Sequence, residues 1–563
     1  MKNLYVVYLI LVLVGLVGCT PTAKLTEHTR QSGGALSSWQ DSLRIEHVRL
    51  DLQVFPDRKS IAGQAQLRLV SSRSIQRLAL DLDANYHIER VLVNQQTLAL
   101  TAWSNPTGQL QIELPSEQPD NQPFTLTVLY QGEPHVAENP PWLGGFVWST
   151  TKDNKPWIAT AVQGEGCDIF WPCIDHPTAE PGQVDLFIKV PAGLAAPSNG
   201  TLINLIKEPK WHTYHWRTDN PNTYAIALNI GPYALLDDIY DSRYGNRFPL
   251  QYWYLQGEQA SAEKLFTEFA KQLDFFEQVI GPYPFASEKM GVVHTPHKGM
   301  EHQTINAYGE DYRQSPYGYD GLLQHELAHE WFGNQLTNKD WDDFWLHEGF
   351  GTYMQPLYAE YLRGKMAYHA HLFEMRSQIV NKHPLVSKRS KKEHEVYDPK
   401  LGPGQDIYVK GAWILHTLRH LVGDEVFFNA VRQLVYGTST PEPGNFTPRF
   451  SSSEEFIRII STMYGQDLQW FFDAYLYQAA LPVLQSETEN GLLKLRWKSD
   501  KPFYMPLEVM IDGTLYRLAM SDGTADIPVS QARQILLDPE NKILRQEQHI
   551  DDYQQWQRQQ QSH

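Results

Sequence analysis

The segment Leu322-Leu323-Gln324-His325-Glu326-Leu327-Ala328-His329-Glu330-Trp331-Phe332-Gly333 decides the reading of this chain. Its apolar residues recur at helix-compatible spacings and Gly333 supplies a stop, so the pattern predicts a helix over 322–332. On such a helix His325 and His329 lie on one face, one turn apart, and both can hold one zinc ion at about 2.0–2.1 Å. A bare HExxH arises by chance in about one chain of this composition in twenty. A third ligand is needed. Glu348, in Trp345-Leu346-His347-Glu348-Gly349-Phe350, follows His329 by 19 residues. That gap fits a helix end, a loop and a second helix packed beside the first. It would complete a His₂Glu zinc site with one position open to water. Glu326 adjoins His325 without being a ligand, which makes it the candidate to take the water's proton.

Outward from this centre, helical periodicity dominates residues 238–480. Leu265, Phe266, Phe269, Phe276 and Ile280 form one such run, and Gly281-Pro282 closes it. Upstream, residues 42–237 read as an all-β domain. Val48, Leu50, Leu52 and Val54 alternate with Arg49, Asp51 and Gln53, the mark of half-buried antiparallel strands. Strand-like runs return over residues 481–545 as a small β-domain, and residues 546–563 read as a polar, frayed tail.

Length and composition agree with a multidomain α+β protein. The 563 residues allow several domains, and 42% hydrophobic with 20% charged residues are globular values. A net charge of −17 argues against nucleic acid as a partner. The basic run Lys388, Arg389, Lys391 and Lys392, followed by Glu393 and Glu395, reads as a solvated loop.

Cys19 ends the apolar run Leu4 to Gly18, which is too short to span a membrane but suits a signal peptide. Leu16-Val17-Gly18-Cys19 resembles a bacterial lipobox, so residues 1–18 are expected to be a signal peptide and Cys19 the lipidated residue. Residues 19–41 would be a linker. The protein would then be exported and held to a membrane by its lipid, at the periplasmic face of an outer membrane or on the cell surface. Cys167 and Cys173 stay open between two packed thiols and a disulfide, which an exported protein permits but which requires the chain between them to double back. His294 and His297 lack a carboxylate at ligand spacing and are not taken as metal ligands.

Several segments together carry a family resemblance. His325-Glu326-Leu327-Ala328-His329 with Glu348, Lys298-Gly299-Met300-Glu301-His302, Gln163-Gly164-Glu165, Pro172-Cys173-Ile174-Asp175-His176-Pro177 and Tyr408-Val409-Lys410-Gly411 are similar to motifs of the M1-family zinc aminopeptidases. This is the gluzincin group that includes aminopeptidase N and leukotriene A4 hydrolase. The resemblance implies an N-terminal antiparallel β-saddle, a thermolysin-like, mostly α catalytic domain and a small C-terminal β-domain. It implies one Zn²⁺ on His325, His329 and Glu348, with Glu326 as base and the Tyr408 hydroxyl as oxyanion stabiliser. Glu301, Glu165 and Gln163, with Gly299 and Met300, would bind a peptide by its free N-terminus. Lys298, His302 and Gln355 depart from the family pattern, in which Gly, Asn and a carboxylate are usual. An endopeptidase or epoxide hydrolase on the same zinc site, and a catalytically silent surface binding protein, are the alternatives.

Overall fold

The computed structural model describes residues 26, 28–444 and 446–561. The expected signal peptide and Cys19 lie outside the described residues. Among the described residues no helix is long and apolar enough to cross a membrane.

The N-terminal half is built on one eight-stranded sheet. Its order is Thr201–Lys207, Trp211–Asp219, Gln183–Pro191, Leu43–Phe55, Ser60–Ser71, Phe124–Gly132, His87–Val93 and Gln96–Thr97. The alternation read from sequence is the cause. Val48, Leu50, Leu52 and Val54 point into the core, while Arg49, Asp51 and Gln53 keep contact with solvent. A turn through Pro56 and Asp57, with Lys59 left-handed at φ 49°, returns the first strand to its antiparallel partner. One pair is parallel: Leu43–Phe55 beside Gln183–Pro191, with Leu50 opposite Leu186.

A four-stranded sheet follows, ordered Tyr233–Asp241, Arg247–Leu255, Met290–His294 and Asn306–Tyr308. The expected boundary at 237/238 falls inside its first strand. No change of period marks the join, because strands lie on both sides of it.

Helix α1 (Gln259–Val279) precedes the central layer of α2 (Gly321–Ala328), α3 (Trp345–Arg363), α4 (Lys365–Arg376), the short α5 (Glu393–Tyr397) and α6 (Asp406–Val422). Helices α7 (Asp424–Tyr436), α8 (Ser453–Tyr464) and α9 (Gln469–Tyr475) complete this unit. Two three-stranded sheets over 483–537 form the C-terminal β unit.

One crossing within the helical layer fixes the site. A Cβ built on Gly411 of α6 would stand 2.8 Å from the Cα of Gly349 on α3. A Cβ on Gly349 would meet Gly411 Cα and the Ile407 carbonyl at 3.1 Å. The two backbones touch because neither residue has a side chain. This brings Glu348, one residue before Gly349, beside Tyr408, one turn before Gly411. The buried Lys410 secures α6 from behind, its ammonium donating to the carbonyls of Gln478 and Ala479 at 3.1 Å each.

Two expectations need correction, and the open question of the two cysteines is answered. The described part of the supposed linker is tied down, with Thr29, Ser32 and Gln40 buried. His28 Nε2 lies 2.7 Å from Asp81 Oδ1, Gln40 donates to the other Asp81 oxygen at 2.7 Å, and Ser32 donates to Asp175 at 3.2 Å. Ser, Thr and Gln read as loop-formers by composition, but here they satisfy carboxylates that would otherwise be buried alone.

The polar tail is helix α10 (Gln548–Gln561), anchored by buried Ile550 and by Gln554 donating to the carbonyls of Ser377 and Ile379. Cys167 and Cys173 are disulfide-bonded, with Cα atoms 6.3 Å apart. A single 3₁₀ turn, Cys167–Ile169, entered from Gly166 at φ 97°, supplies the doubling back.

Candidate metal centre and active site

Helix α2 is started by Asp320, whose carboxylate accepts from the Leu323 N–H at 3.0 Å and from the Tyr308 hydroxyl at 2.6 Å. The regular helix ends at Ala328, short of the expected Phe332. His329 keeps helical dihedrals as the C-cap, and its Nδ1 donates to the Phe332 carbonyl at 2.8 Å, tightening the following turn. That bond fixes the tautomer and leaves Nε2 with its lone pair facing the cleft. Glu348 enters from the first turn of α3, where the helix N-terminus favours negative charge.

The three predicted ligands meet. His325 Nε2 and His329 Nε2 are 3.1 Å apart, and Glu348 Oε2 is 3.5 Å from the first and 3.4 Å from the second. Around a tetrahedral zinc with bonds of about 2.0–2.1 Å, ligand atoms stand about 3.3–3.4 Å from one another. Glu348 Oε2 is buried and has no hydrogen-bond partner among the described residues. A buried carboxylate oxygen in that state calls for a cation. The residues therefore fit a zinc ion.

The local electrostatics make the same demand. Burial draws the His329 imidazole down, yet the carboxylates of Glu348, Glu301 and Glu326 outweigh it and push the group up to about 10. Against the upward pull of burial, His329 and His325 hold the Glu348 carboxyl well below the usual carboxylate range. Burial pushes Glu326 well above it.

Glu301, Glu326 and His329 form a second convergent group, each offering an atom within 4.8 Å of the others. Gly299 makes this approach feasible, since a Cβ there would overlap the Glu326 carboxylate and crowd Leu322. Met300 is core, bridging to Ala307. Glu301 is buried and raised by burial, and its Oε1 accepts from the Tyr224 hydroxyl at 3.0 Å.

Tyr224 was not singled out in the sequence. It belongs to the N-terminal half, and nothing in its surroundings there distinguishes it. Behind it, His347 accepts from the Asn338 N–H at 2.9 Å through Nε2, which leaves its Nδ1 proton directed at the Tyr224 oxygen, 3.5 Å away.

Gln163 and Glu165 come from the turn after strand Pro156–Ala161, with Gly164 left-handed at φ 90°. Both are buried. The Gln163 amide nitrogen has no partner among the described residues, and burial raises Glu165 to about 8 although the Gly144 N–H donates to it. Tyr408 stands beside His325 with ring centres 6.0 Å apart, and its hydroxyl meets that of Tyr397 at 2.8 Å.

Lys298 reaches toward the Trp142 ring, 5.8 Å from its centre, and His302 is fully buried near His297. Gln355 donates to the Gly321 carbonyl at 3.1 Å, pinning α3 to the start of α2. His294 faces Glu258 at 3.0 Å, away from the centre.

A peptidase family M1 domain model matches residues 269–475, and a peptidase M1 N-terminal domain model matches residues 44–224. A probable aminopeptidase 1 of Sulfurisphaera tokodaii is 24% identical over 439 residues, covering 74% of this chain and 52% of that protein. An aminopeptidase N of Haemonchus contortus is 28% identical over 398 residues, 62% of this chain and 38% of that one. The chain spans about half or less of the length of these curated relatives. The solved structure of a mutant M1 zinc metallopeptidase from Deinococcus radiodurans, bound to a Tyr-Ser-Ala substrate, superposes with a TM-score of 0.68 at 24% identity. That match covers 81% of this chain and 99% of that one, and it shows a shared fold.

Proposed function

Because the chain belongs to peptidase family M1, we propose that it is a zinc-dependent aminopeptidase removing N-terminal residues from peptides. The observation that carries this reading is a single centre in which His325, His329 and Glu348 converge while Glu326 and Glu301 gather around His329. Zinc bound there would polarise a carbonyl and bring a water's pKa down toward about 7.

The protein's own groups supply the rest. Glu326 is desolvated and unshared with any ligand role, so it can take a proton from the attacking water and pass it to the departing amine. The Tyr408 hydroxyl, beside His325, is placed to donate to the oxygen that gains charge when the amide is attacked. Glu301, held by Tyr224, and Glu165 with Gln163 present buried acceptors to a substrate ammonium, which needs anionic partners once it leaves water. Those carboxylates count one residue from the N-terminus and disfavour endopeptidase action.

The test compares leucine arylamide with its N-acetylated form, with and without a zinc chelator. Only the free amine is expected to be cleaved, and only without chelator. Glu301→Gln should lower kcat/KM by about thirtyfold or more, the low end of losing one partner of a buried charge pair. Equal cleavage of the acetylated substrate by the unaltered enzyme would refute the aminopeptidase reading.

We also propose that the chain is exported and tethered through a lipid on Cys19. The apolar run ending in Leu16-Val17-Gly18-Cys19 supports this. Cys19→Ser is expected to move the protein from the membrane to the soluble fraction, and unchanged membrane association would rule the anchor out.

A further inference from the structure

Glu393 begins α5, directly after the basic run that reads as a solvated loop. It is nonetheless only 2% exposed, and its Oε1 makes no hydrogen bond among the described residues. Its other oxygen lies over Gly164, where an added Cβ would come within 3.3 Å of it. The preceding lysines do not answer the charge. Lys391 pairs with Asp342 at 2.8 Å and Lys392 donates to Gln31. Burial first, and after it the carboxylates of Glu165, Glu348, Asp175 and Glu301, push the Glu393 carboxyl well above the usual carboxylate range.

Glu393 faces a cavity of about 570 Å³ whose wall includes Glu138, Glu165 and Asp398 together with Trp142 and Tyr397. Arg30 is the only lysine or arginine among the described residues on that wall, and it lies 3.9 Å from the exposed Glu138. None of the three metal-ligating side chains nor Tyr408 lines this space. His325 and Tyr408 instead line a separate cavity of about 500 Å³ that runs past Leu322 and Gln355. The Tyr397–Tyr408 hydroxyl pair stands between the two. A peptide whose ammonium met Glu301 and Glu165 would have its first side chain beside the acidic cavity, which Glu165 lines, and its remaining chain on the His325 side.

We propose that the acidic cavity receives the substrate's N-terminal side chain and that Glu393 is its counter-charge, so that arginine and lysine are the preferred first residues. This rests on the aminopeptidase reading above. A buried carboxylate without a partner is costly unless a ligand supplies one, and a guanidinium or ammonium does so. The Trp142 and Tyr397 rings suit the same cations, and Lys298 already directs its ammonium to Trp142.

The experiment measures kcat/KM of the zinc-loaded full chain on arginine, lysine, norleucine and leucine arylamides, and calorimetric binding of free L-arginine and L-norleucine. The unaltered enzyme is expected to favour arginine and lysine. Glu393→Gln should lower both by about thirtyfold or more, mainly through KM, with norleucine and leucine held within about threefold. L-arginine binding should weaken in step.

Equal losses on all substrates would assign Glu393 to the α-amine and overturn the proposal, as would no loss at all. Should Glu393→Gln not fold, Glu138→Lys reverses a charge at an exposed point of the same wall. It should lower the arginine-to-leucine ratio, and an unmoved ratio overturns the pocket assignment. If the unaltered chain cleaves none of these arylamides, the aminopeptidase reading fails. The pocket would then stand if L-arginine binding is lost in Glu393→Gln and fall if it is not.

Discussion

Glu326→Gln is expected to bind zinc as the unaltered protein does while turning over about 10²–10⁴-fold more slowly, the range for removing a general acid–base group. The separation follows from geometry. The ligand atoms come from His325, His329 and Glu348, all within 3.5 Å of one another, and Glu326 is absent from that trio. Glutamine keeps the size of the side chain, so the close fit against Gly299 survives. It cannot accept and return a proton. Metal content and kcat on a leucine arylamide, measured on the same preparation, check both halves. Ordinary turnover with full zinc would remove Glu326 from the chemistry, and zinc loss would show that it supports the ligands instead.

Tyr408→Phe should lower kcat by about 10²–10³-fold with little change in KM, as expected of a donor used only when charge develops on the substrate oxygen. The ring beside His325 and the packing of α6 are retained, and the hydroxyl alone is lost. Its other contact is the Tyr397 hydroxyl at 2.8 Å, so stability should fall by about 0.5–1.5 kcal/mol, the worth of one hydrogen bond. Tyr397→Phe provides the control. It breaks the same hydrogen bond while leaving the Tyr408 oxygen in place, and it should cost far less in kcat. Equal effects of the two variants, or a Tyr408→Phe enzyme as fast as its parent, would refute the donor role.

The sequence was most legible where chemistry is local. HExxH at helical spacing, a glutamate 19 residues on, and the period-two strands of the first half all obey short-range rules. What it concealed depends on distant partners. Glu393 looks solvated because its neighbours in sequence are charged, whereas its neighbours in space are Gly164 and Glu165. Tyr224 lies 77 residues before Glu301 and joins it only through the packing of the N-terminal half on the helical unit. Residues 28–41 and α10 are polar segments whose order comes from acceptors elsewhere, Asp81 and Asp175 for the first and the Ser377 and Ile379 carbonyls for the second. Local composition carries no trace of such acceptors. The Cys167–Cys173 bond likewise turned on one 3₁₀ turn that spacing does not reveal.

The backbone contact between Gly349 and Gly411 limits how this active site can change. Each glycine occupies the room that a side chain on the other would need, so a substitution at either position is blocked until the helices part. Parting them moves Glu348 and Tyr408 in opposite directions. Variation by single steps is thereby steered away from the metal centre and toward positions 138, 142, 143 and 398, which wall the acidic cavity without touching the crossing. New preferences for the first residue can be selected there while the reacting geometry stays fixed.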